Sequence, residues 1–239
     1  MDELEHYARS ILGIQLSTPQ LNALQWYENE LIDWNSRHNL TTIKDPEQIR
    51  VKHFLDSLTC LLVMDDIRLE DIVDVGTGAG FPGIPLKIIK PETRLTLIES
   101  VGKKARFCQH VVSSLGLEDV EVIHDRVETI GRKPEYRQRY KWAIARAVAV
   151  LPTLVEYLLP LLRINGTMIA MKGEDAPAEA HDAEYATSIM GGHFRKLFNV
   201  TLPGVAEERY LVLIDKIATT PDVYPRRVGV PRKRPLKST

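Results

Sequence analysis

Asp74-Val75-Gly76-Thr77-Gly78-Ala79-Gly80 stands where a short apolar run, 72–75, gives way to a helical stretch. Glycines at a strand-to-helix turn can take positive φ and let the backbone approach a ligand closely. Their N–H groups and the positive end of the following helix then face that ligand. The stretch therefore belongs to the Rossmann group of α/β folds. Gly78, Gly80 and Gly83 also match G-x-G-x-x-G. A dinucleotide fingerprint, however, wants its first glycine directly after the strand, where Gly76 stands instead, which disfavours a nicotinamide ligand.

Working outward, further apolar runs at 94–98, 120–124, 142–145 and 167–171 alternate with helical stretches. That alternation predicts βαβ units and a mostly parallel sheet with helices on both faces. Two more runs, 194–202 and 210–217, joined through Pro203-Gly204, predict a hairpin that closes one sheet edge, for seven strands in all. The first 65 residues read as helical. Leu21, Leu24, Trp26, Tyr27, Leu31 and Trp34 recur near a 3.6 period after the start signal Ser17-Thr18-Pro19, and the helix is expected to stop near Asn35. A second helix is expected from Asp45 as N-cap and Pro46 to about Val63. The division that follows is a helical extension at 1–65, an α/β core at 66–220 and a tail at 221–239, with the charged connection Asp65-Asp66-Ile67-Arg68 at the first boundary.

The chain of 239 residues is 44% hydrophobic and 26% charged, enough apolar mass for one substantial core. No run approaches the roughly 18 apolar residues of a membrane span, and the acidic MDELEHYARS start lacks a signal-peptide core, so a cytoplasmic protein without membrane association is expected. Cys60 and Cys108 form no CxxC or Cys/His cluster, which predicts buried fillers and no metal site. The net charge of −1 hides an asymmetry. Residues 1–70 hold 12 acidic against 6 basic side chains, whereas 221–239 hold 6 basic side chains, Arg226, Arg227, Arg232, Lys233, Arg234 and Lys237, against Asp222 alone. A basic tail punctuated by Pro221, Pro225, Pro231 and Pro235 suits an extended path along a phosphate backbone, and equally a solubilising role.

About 25 residues after Asp74, Glu99 ends the second run, where a carboxylate can accept both hydroxyls of a ribose. Glycine turn and carboxylate together point to a nucleoside ligand above the carboxyl edge of the sheet, S-adenosylmethionine among the candidates. No G-x-x-x-x-G-K-[ST] occurs, so triphosphate hydrolysis through a P-loop is unsupported.

An ordered series of motifs runs along nearly the whole chain. It comprises Trp34-Asn35-x-x-x-Asn39-Leu40-Thr41, His53-x-x-Asp56-Ser57 and Asp74 through Pro85, then Glu99-Ser100-x-x-Lys103-Lys104-x-x-Phe107, Arg126-Val127-Glu128, Ala145-Arg146-Ala147 and Lys172-Gly173. In this series the chain resembles the bacterial small-subunit (16S) ribosomal RNA guanine-N7 methyltransferase family, historically called glucose-inhibited division protein B. The resemblance implies a Rossmann-like class I S-adenosylmethionine-dependent methyltransferase with an N-terminal helical extension, acting in the cytoplasm as a monomer on 16S ribosomal RNA within the small subunit. It implies cofactor contacts at Gly76, Gly78, Phe81, Glu99 and Ser100, with Val127 and Glu128 beside the adenine and Arg146 facing the methyl donor and target base as a positioning residue. Asn39, His53, Lys103, Arg226 and Arg227 are the candidate RNA contacts. Some relatives carry Pro where Ala79 stands, which leaves the turn usable.

The residues are compatible with that chemistry. Guanine N7 has a free lone pair and loses no proton on methylation, so no general base is required and rate comes from positioning. The Asn/Asp-Pro-Pro-aromatic segment of exocyclic-amine methyltransferases is missing after the fourth run, which reads Arg146-Ala147-Val148-Ala149. Carbon methylation would want a nucleophilic cysteine near a strand end, whereas Cys108 falls in a helical stretch. The remaining alternatives are a same-fold methyltransferase acting on a small molecule or protein, and a non-catalytic cofactor-sensing module of ribosome assembly. Trp26, Trp34 and Phe54 are expected to fill the seam between helical extension and sheet.

Overall fold

A strand buried on both faces is largely apolar, and Ile72, Val73 and Val75 supply that character in β1, Asp71–Val75, with the buried Asp74 as its exception. In the computed structural model, which describes residues 1–64 and 70–237, β1 lies near the middle of a seven-stranded sheet. The others are β2, Arg94–Ile98; β3, Val120–Ile123; β4, Tyr140–Arg146; β5, Leu162–Lys172; β6, Gly192–Val200; and β7, Arg209–Lys216. Their spatial order is β3-β2-β1-β4-β5-β7-β6. β1 to β5 run parallel, and β7 enters antiparallel between β5 and the edge strand β6, which is the expected hairpin.

The order reverses between β1 and β4, and in open α/β sheets such a switch point is where a crevice opens above the strand ends. Register then fixes what lines it. Val75 lies opposite Ile98 and Asp74 opposite Ile144, so Gly76, Glu99 and Arg146 emerge at one level from three neighbouring strands.

Side chains alternate across the sheet with a period of two. One face, with Ile72, Leu95, Leu97, Trp142 and Ile144, packs the N-terminal helices together with the helices Gly83–Ile89 and Gly102–Ser114. The other, with Val73, Val75, Ala143 and Ala145, packs the helix Leu151–Leu158.

The N-terminal part holds α1, Asp2–Leu12, and α2, Thr18–His38, whose N-terminus is closed by a capping box between Ser17 and Gln20. α2 runs past the expected stop near Asn35. The loss of apolar periodicity there ends the buried stripe and not the backbone, because Arg37 pairs with Asp33 and the helix continues until Asn39 takes φ 47°. A composite helix follows through Pro46–Ile49, Arg50–Leu55, Asp56–Leu58 and Thr59–Leu62, with Asp45 capping Gln48 N–H at 2.9 Å and a widened π turn at Arg50–Leu55. The expected charged connection at 65–68, with the boundary it marks, lies outside the described residues.

The seam between these helices and the sheet is aromatic. Tyr27 is fully buried and stacks on Phe81 at 5.3 Å and 18°, with Phe54 at 5.4 Å, while Trp34 packs against Phe107 at 5.3 Å and against His110 at 5.2 Å. Trp26 is half-buried against His110. Below this layer Glu28, 2% exposed, accepts from Arg50 Nε at 2.7 Å and Nη2 at 2.8 Å. Among the described residues no helix is long and apolar enough to cross a membrane.

Candidate functional site

Two cavities open at the switch point and share Gly76, Lys104 and Ala147. The first, about 330 Å³, is bordered by Glu99, Ser100, Val101, Asp125 to Glu128, Val148, Tyr157 and Arg232. The second, about 310 Å³, is bordered by Thr41, Lys52, His53, Asp56, the turn from Gly76 to Ala79, Phe81, Arg146 and Arg209.

The shared wall is the glycine turn. Gly76 has φ 68°, and a Cβ there would sit 2.6 Å from Val148 Cγ2, so both conformation and space require glycine. Gly80 has φ 98°, and a Cβ there would meet Ile84 and Tyr27 Oη at 2.5 Å. The expectation that the turn aims its N–H groups at a ligand is corrected. Gly76 and Thr77 donate to Ile98 O, Gly78 donates to Glu99 Oε2 at 2.8 Å, and Gly80 and Phe81 donate to Thr77 O. With these five amides spent on Ile98, Glu99 and Thr77, the turn serves chiefly by the closeness its glycines permit.

Asp74 braces the turn from beneath. Fully buried, its Oδ2 accepts from Thr77 Oγ1 at 2.6 Å and Gly83 N–H at 2.8 Å, while Oδ1 has no partner among the described residues. Burial pushes its carboxyl up to about 6 against the lowering effect of those hydrogen bonds. Tyr27 seals the other side by donating its hydroxyl to Ala79 O.

In the first cavity Glu99 accepts from Gly78 N–H and, through Oε1, from Val101 N–H at 2.7 Å. Each carboxylate oxygen keeps a further lone pair, so two hydroxyl donors can still be accommodated. Ser100 borders the same space. Val127 opens the short helix Val127–Ile130, and the carboxylate of Glu128, 4% exposed, accepts from Tyr157 Oη at 3.3 Å and Gly229 N–H at 2.9 Å. Burial and the neighbouring Glu128 both raise the Tyr157 hydroxyl above its ordinary range.

The second cavity is cationic. Arg146 Nη1 donates to Asp56 Oδ2 at 2.8 Å and to Lys52 O at 3.1 Å, its Nη2 donates to His53 Nδ1 at 3.2 Å, and its guanidinium lies 5.1 Å from the Phe81 ring centre. His53, 9% exposed, stacks on Phe81 at 4.4 Å and 16°. Because Nδ1 accepts from Arg146, the proton sits on Nε2, which donates to Thr41 Oγ1 at 2.9 Å. Desolvation and the adjacent guanidinium lower the imidazole to about 3, so it is neutral at physiological pH. Asn35 holds the loop that carries Thr41, accepting from Leu40 N–H at 2.6 Å and Thr41 N–H at 2.9 Å.

The structure brings together Gly76, Gly78, Phe81 and Arg146 with His53, and on the other side Glu99, Ser100, Val127 and Glu128. It does not bring the remaining candidates there. Asn39 is exposed at the end of α2 and borders neither cavity, and Lys103 Nζ donates to His38 O at 2.5 Å, clamping α2 to the helix Gly102–Ser114. Arg226 is held inward as a buried ion pair, its Nε 2.9 Å from Oε1 and its Nη2 2.6 Å from Oε2 of the fully buried Glu156. Arg227 is exposed and borders neither cavity. The expected extended tail is likewise corrected. Arg137 donates to Thr220, Pro221 and Tyr224 carbonyls, Thr153 donates to Pro231 O, and residues 230–233 form a short helix against the core. Ser238 and Thr239 lie outside the described residues.

Arg209 and Lys52 complete the second cavity and escaped the sequence reading, since neither belongs to a motif. Arg209 Nε is buried with no partner among the described residues. Cys60 and Cys108 are fully buried, with both thiols pushed up by desolvation. No cluster of His, Cys, Asp and Glu among the described residues could hold a metal ion.

Solved structures share the fold that carries this crevice. A SAM-dependent methyltransferase from Aquifex aeolicus superposes with a TM-score of 0.54 at 16% identity, over 73% of this chain and 96% of that one. The AdoMet complex of M. jannaschii TYW2 gives 0.52 at 15% identity, over 69% and 76%. At such identities the likeness speaks for the fold alone, the Rossmann-like class I methyltransferase architecture. The sequence relatives are far nearer. The ribosomal RNA small subunit methyltransferase G of Roseiflexus sp. (strain RS-1) is 48% identical over 99% of this chain and 100% of its own, and that of Desulforamulus reducens is 42% identical over 94% of each. With the family model for rRNA small subunit methyltransferase G matching residues 20–206, the chain belongs to the GidB family.

Proposed function

We propose that this chain transfers the methyl group of S-adenosylmethionine to N7 of one guanine in 16S ribosomal RNA, in the cytoplasm, on RNA carried in the small ribosomal subunit. The observation that carries the reading is the pair of cavities meeting at Gly76, one suited to a nucleoside and the other to an electron-rich base. The residues fit the cofactor on a feature of the fold itself. The positive φ of Gly76, and the 2.6 Å that a Cβ there would leave to Val148, keep the backbone bare at the wall the two cavities share, beside a Glu99 carboxylate with acceptor capacity to spare. Gly76, Gly78, Phe81, Glu99, Ser100, Val127 and Glu128 would hold it, with Arg146 facing the methyl end. When bound, it supplies an electrophilic methyl on a sulfonium centre.

The chain's own groups then position and shield. In the second cavity His53 is a very weak base with both ring nitrogens engaged, so it is not set up to take a proton, and Asp56 serves to hold Arg146. That suits N7, whose attack releases no proton, and suits an exocyclic amine or a hydroxyl less well. Arg146, fixed by three hydrogen bonds, offers a rigid cationic wall, and Lys52, Lys104 and Arg209 around it favour the O6 edge of guanine and its phosphate. The helical segment 1–65 acts as the substrate-side cover of the α/β core 66–220.

The test is labelled S-adenosylmethionine incubated with unmodified small subunits, free small-subunit RNA and large-subunit RNA, followed by N7-sensitive strand cleavage. Label confined to one small-subunit guanine is the expected result. Label on another atom or only on large-subunit RNA, or no transfer despite cofactor binding, overturns the reading.

A further inference from the structure

Residues 221–237 are basic, yet their anchors attach them to the wall of the nucleoside cavity and not to the RNA side. The buried carboxylate of Glu156 receives Arg226 through its backbone N–H at 2.7 Å as well as its guanidinium, and Arg226 Nη2 also donates to Arg234 O at 2.8 Å. Gly229 N–H donates to the same Glu128 that receives Tyr157, and Pro231 O accepts from Thr153 at 3.2 Å. These contacts bracket Arg232 on both sides. Arg232 borders the cavity of Glu99 and Val127, is absent from the borders of the His53 cavity, and makes no ion pair among the described residues.

We propose that residues 229–234 are a built-in wall of the cofactor site and that Arg232 is a cofactor-binding residue acting on the purine nucleoside half of the ligand. This deepens the function proposed above and rests on it. A purine base in the cavity meets Val127 and the floor of the sheet on the protein side. A guanidinium is the cation best suited to cover an aromatic face toward solvent, being planar and weakly hydrated. Anchoring through Glu128 and Glu156 fixes the backbone on either side of Arg232 before the ligand arrives, so little backbone freedom is lost on binding.

The proposal is tested by equilibrium binding of S-adenosylmethionine, S-adenosylhomocysteine and 5′-methylthioadenosine to the full chain, to R232A, to R232K and to a chain ending at Arg227. The last variant keeps the Arg226–Glu156 pair, whereas truncation after Asp222 would strip a buried carboxylate of its partner. R232A is expected to weaken all three ligands alike by about 3- to 30-fold. R232K should recover part of the loss, and the shortened chain should lose at least as much. RNA affinity should move less than about twofold in R232A, and its thermal midpoint should not change, as befits an exposed side chain. Unchanged cofactor affinity in R232A, with weaker RNA binding and a shallower salt slope, overturns the proposal and makes Arg232 an RNA contact. Weaker binding in the shortened chain but not in R232A overturns the part assigned to Arg232. A full chain that binds none of the three ligands refutes the underlying function instead.

Discussion

The two halves of the crevice are built differently. The nucleoside half is made at strand ends from contiguous motifs, with Gly76, Glu99 and Val127 each following its own strand and most hydrogen bonds running through backbone amides. The target half is stitched together across the chain, Arg146 reaching 90 residues back to Asp56 and 94 back to Lys52. One half depends on backbone conformation and leaves no room for a side chain at Gly76. The other depends on a buried charge network, where each member is costly to leave without its partner. The difference teaches where each is vulnerable: the first to added atoms, the second to removed ones.

The sharpest way to break the comparison is Gly76→Val. A Cβ clash with Val148 and a positive φ together are expected to abolish cofactor binding by calorimetry while circular dichroism still reports a folded chain. Binding within tenfold of the native chain would show that close backbone approach is not what the nucleoside half relies on.

Next in size, Asp56→Ala leaves the Arg146 guanidinium, with 15% of its side chain exposed, without its carboxylate. A loss of about 3–5 kcal/mol in denaturant unfolding is expected. A loss under about 1 kcal/mol would mean that the charge network is not cooperative.

His53 supplies a pH test. Its folded pKa lies below the unfolded value, so its contribution is present above the unfolded pKa near 6.5 and is lost as pH falls toward about 3. In that window the unfolded state binds the extra proton. His53→Gln should flatten the acid limb of stability against pH by roughly 2–4 kcal/mol at full titration. Asp74 works in the opposite sense. Its raised folded pKa of about 6 makes stability fall as pH rises from about 4 to 6. An acid limb as steep in His53→Gln as in the native chain would assign the whole slope to other groups.

The smallest expected effect is at Arg227. Arg227→Ala should change stability by less than about 0.5 kcal/mol, whereas Arg226→Ala next to it should cost several, about 3–5 kcal/mol, because Glu156 is fully buried. Equal costs would show that the tail is not anchored through that pair.

The α/β class, the seven strands, the glycine turn and the carboxylate at the end of β2 were all legible in the chain, because each is written in consecutive residues. Apolar runs of four or five residues mark buried parallel strands, and three glycines within five positions mark a turn that only glycine can make. The length of α2 was less legible, since an i,i+4 ion pair continues a helix after its apolar stripe has ended. The fate of the tail was not legible at all. Composition described six basic side chains, but whether Arg226 meets solvent or the buried Glu156 depends on where Leu151–Leu158 lies in space. The same holds for Arg209 and Lys52, which no motif singles out, and for His53, whose lowered pKa comes from burial against Phe81 and a guanidinium 93 residues away. Local sequence determined backbone conformation at the crevice, because φ preferences and burial periodicity act between near neighbours. Tertiary structure alone decided which charges meet, because electrostatic pairing and desolvation depend on distances that only the folded chain sets.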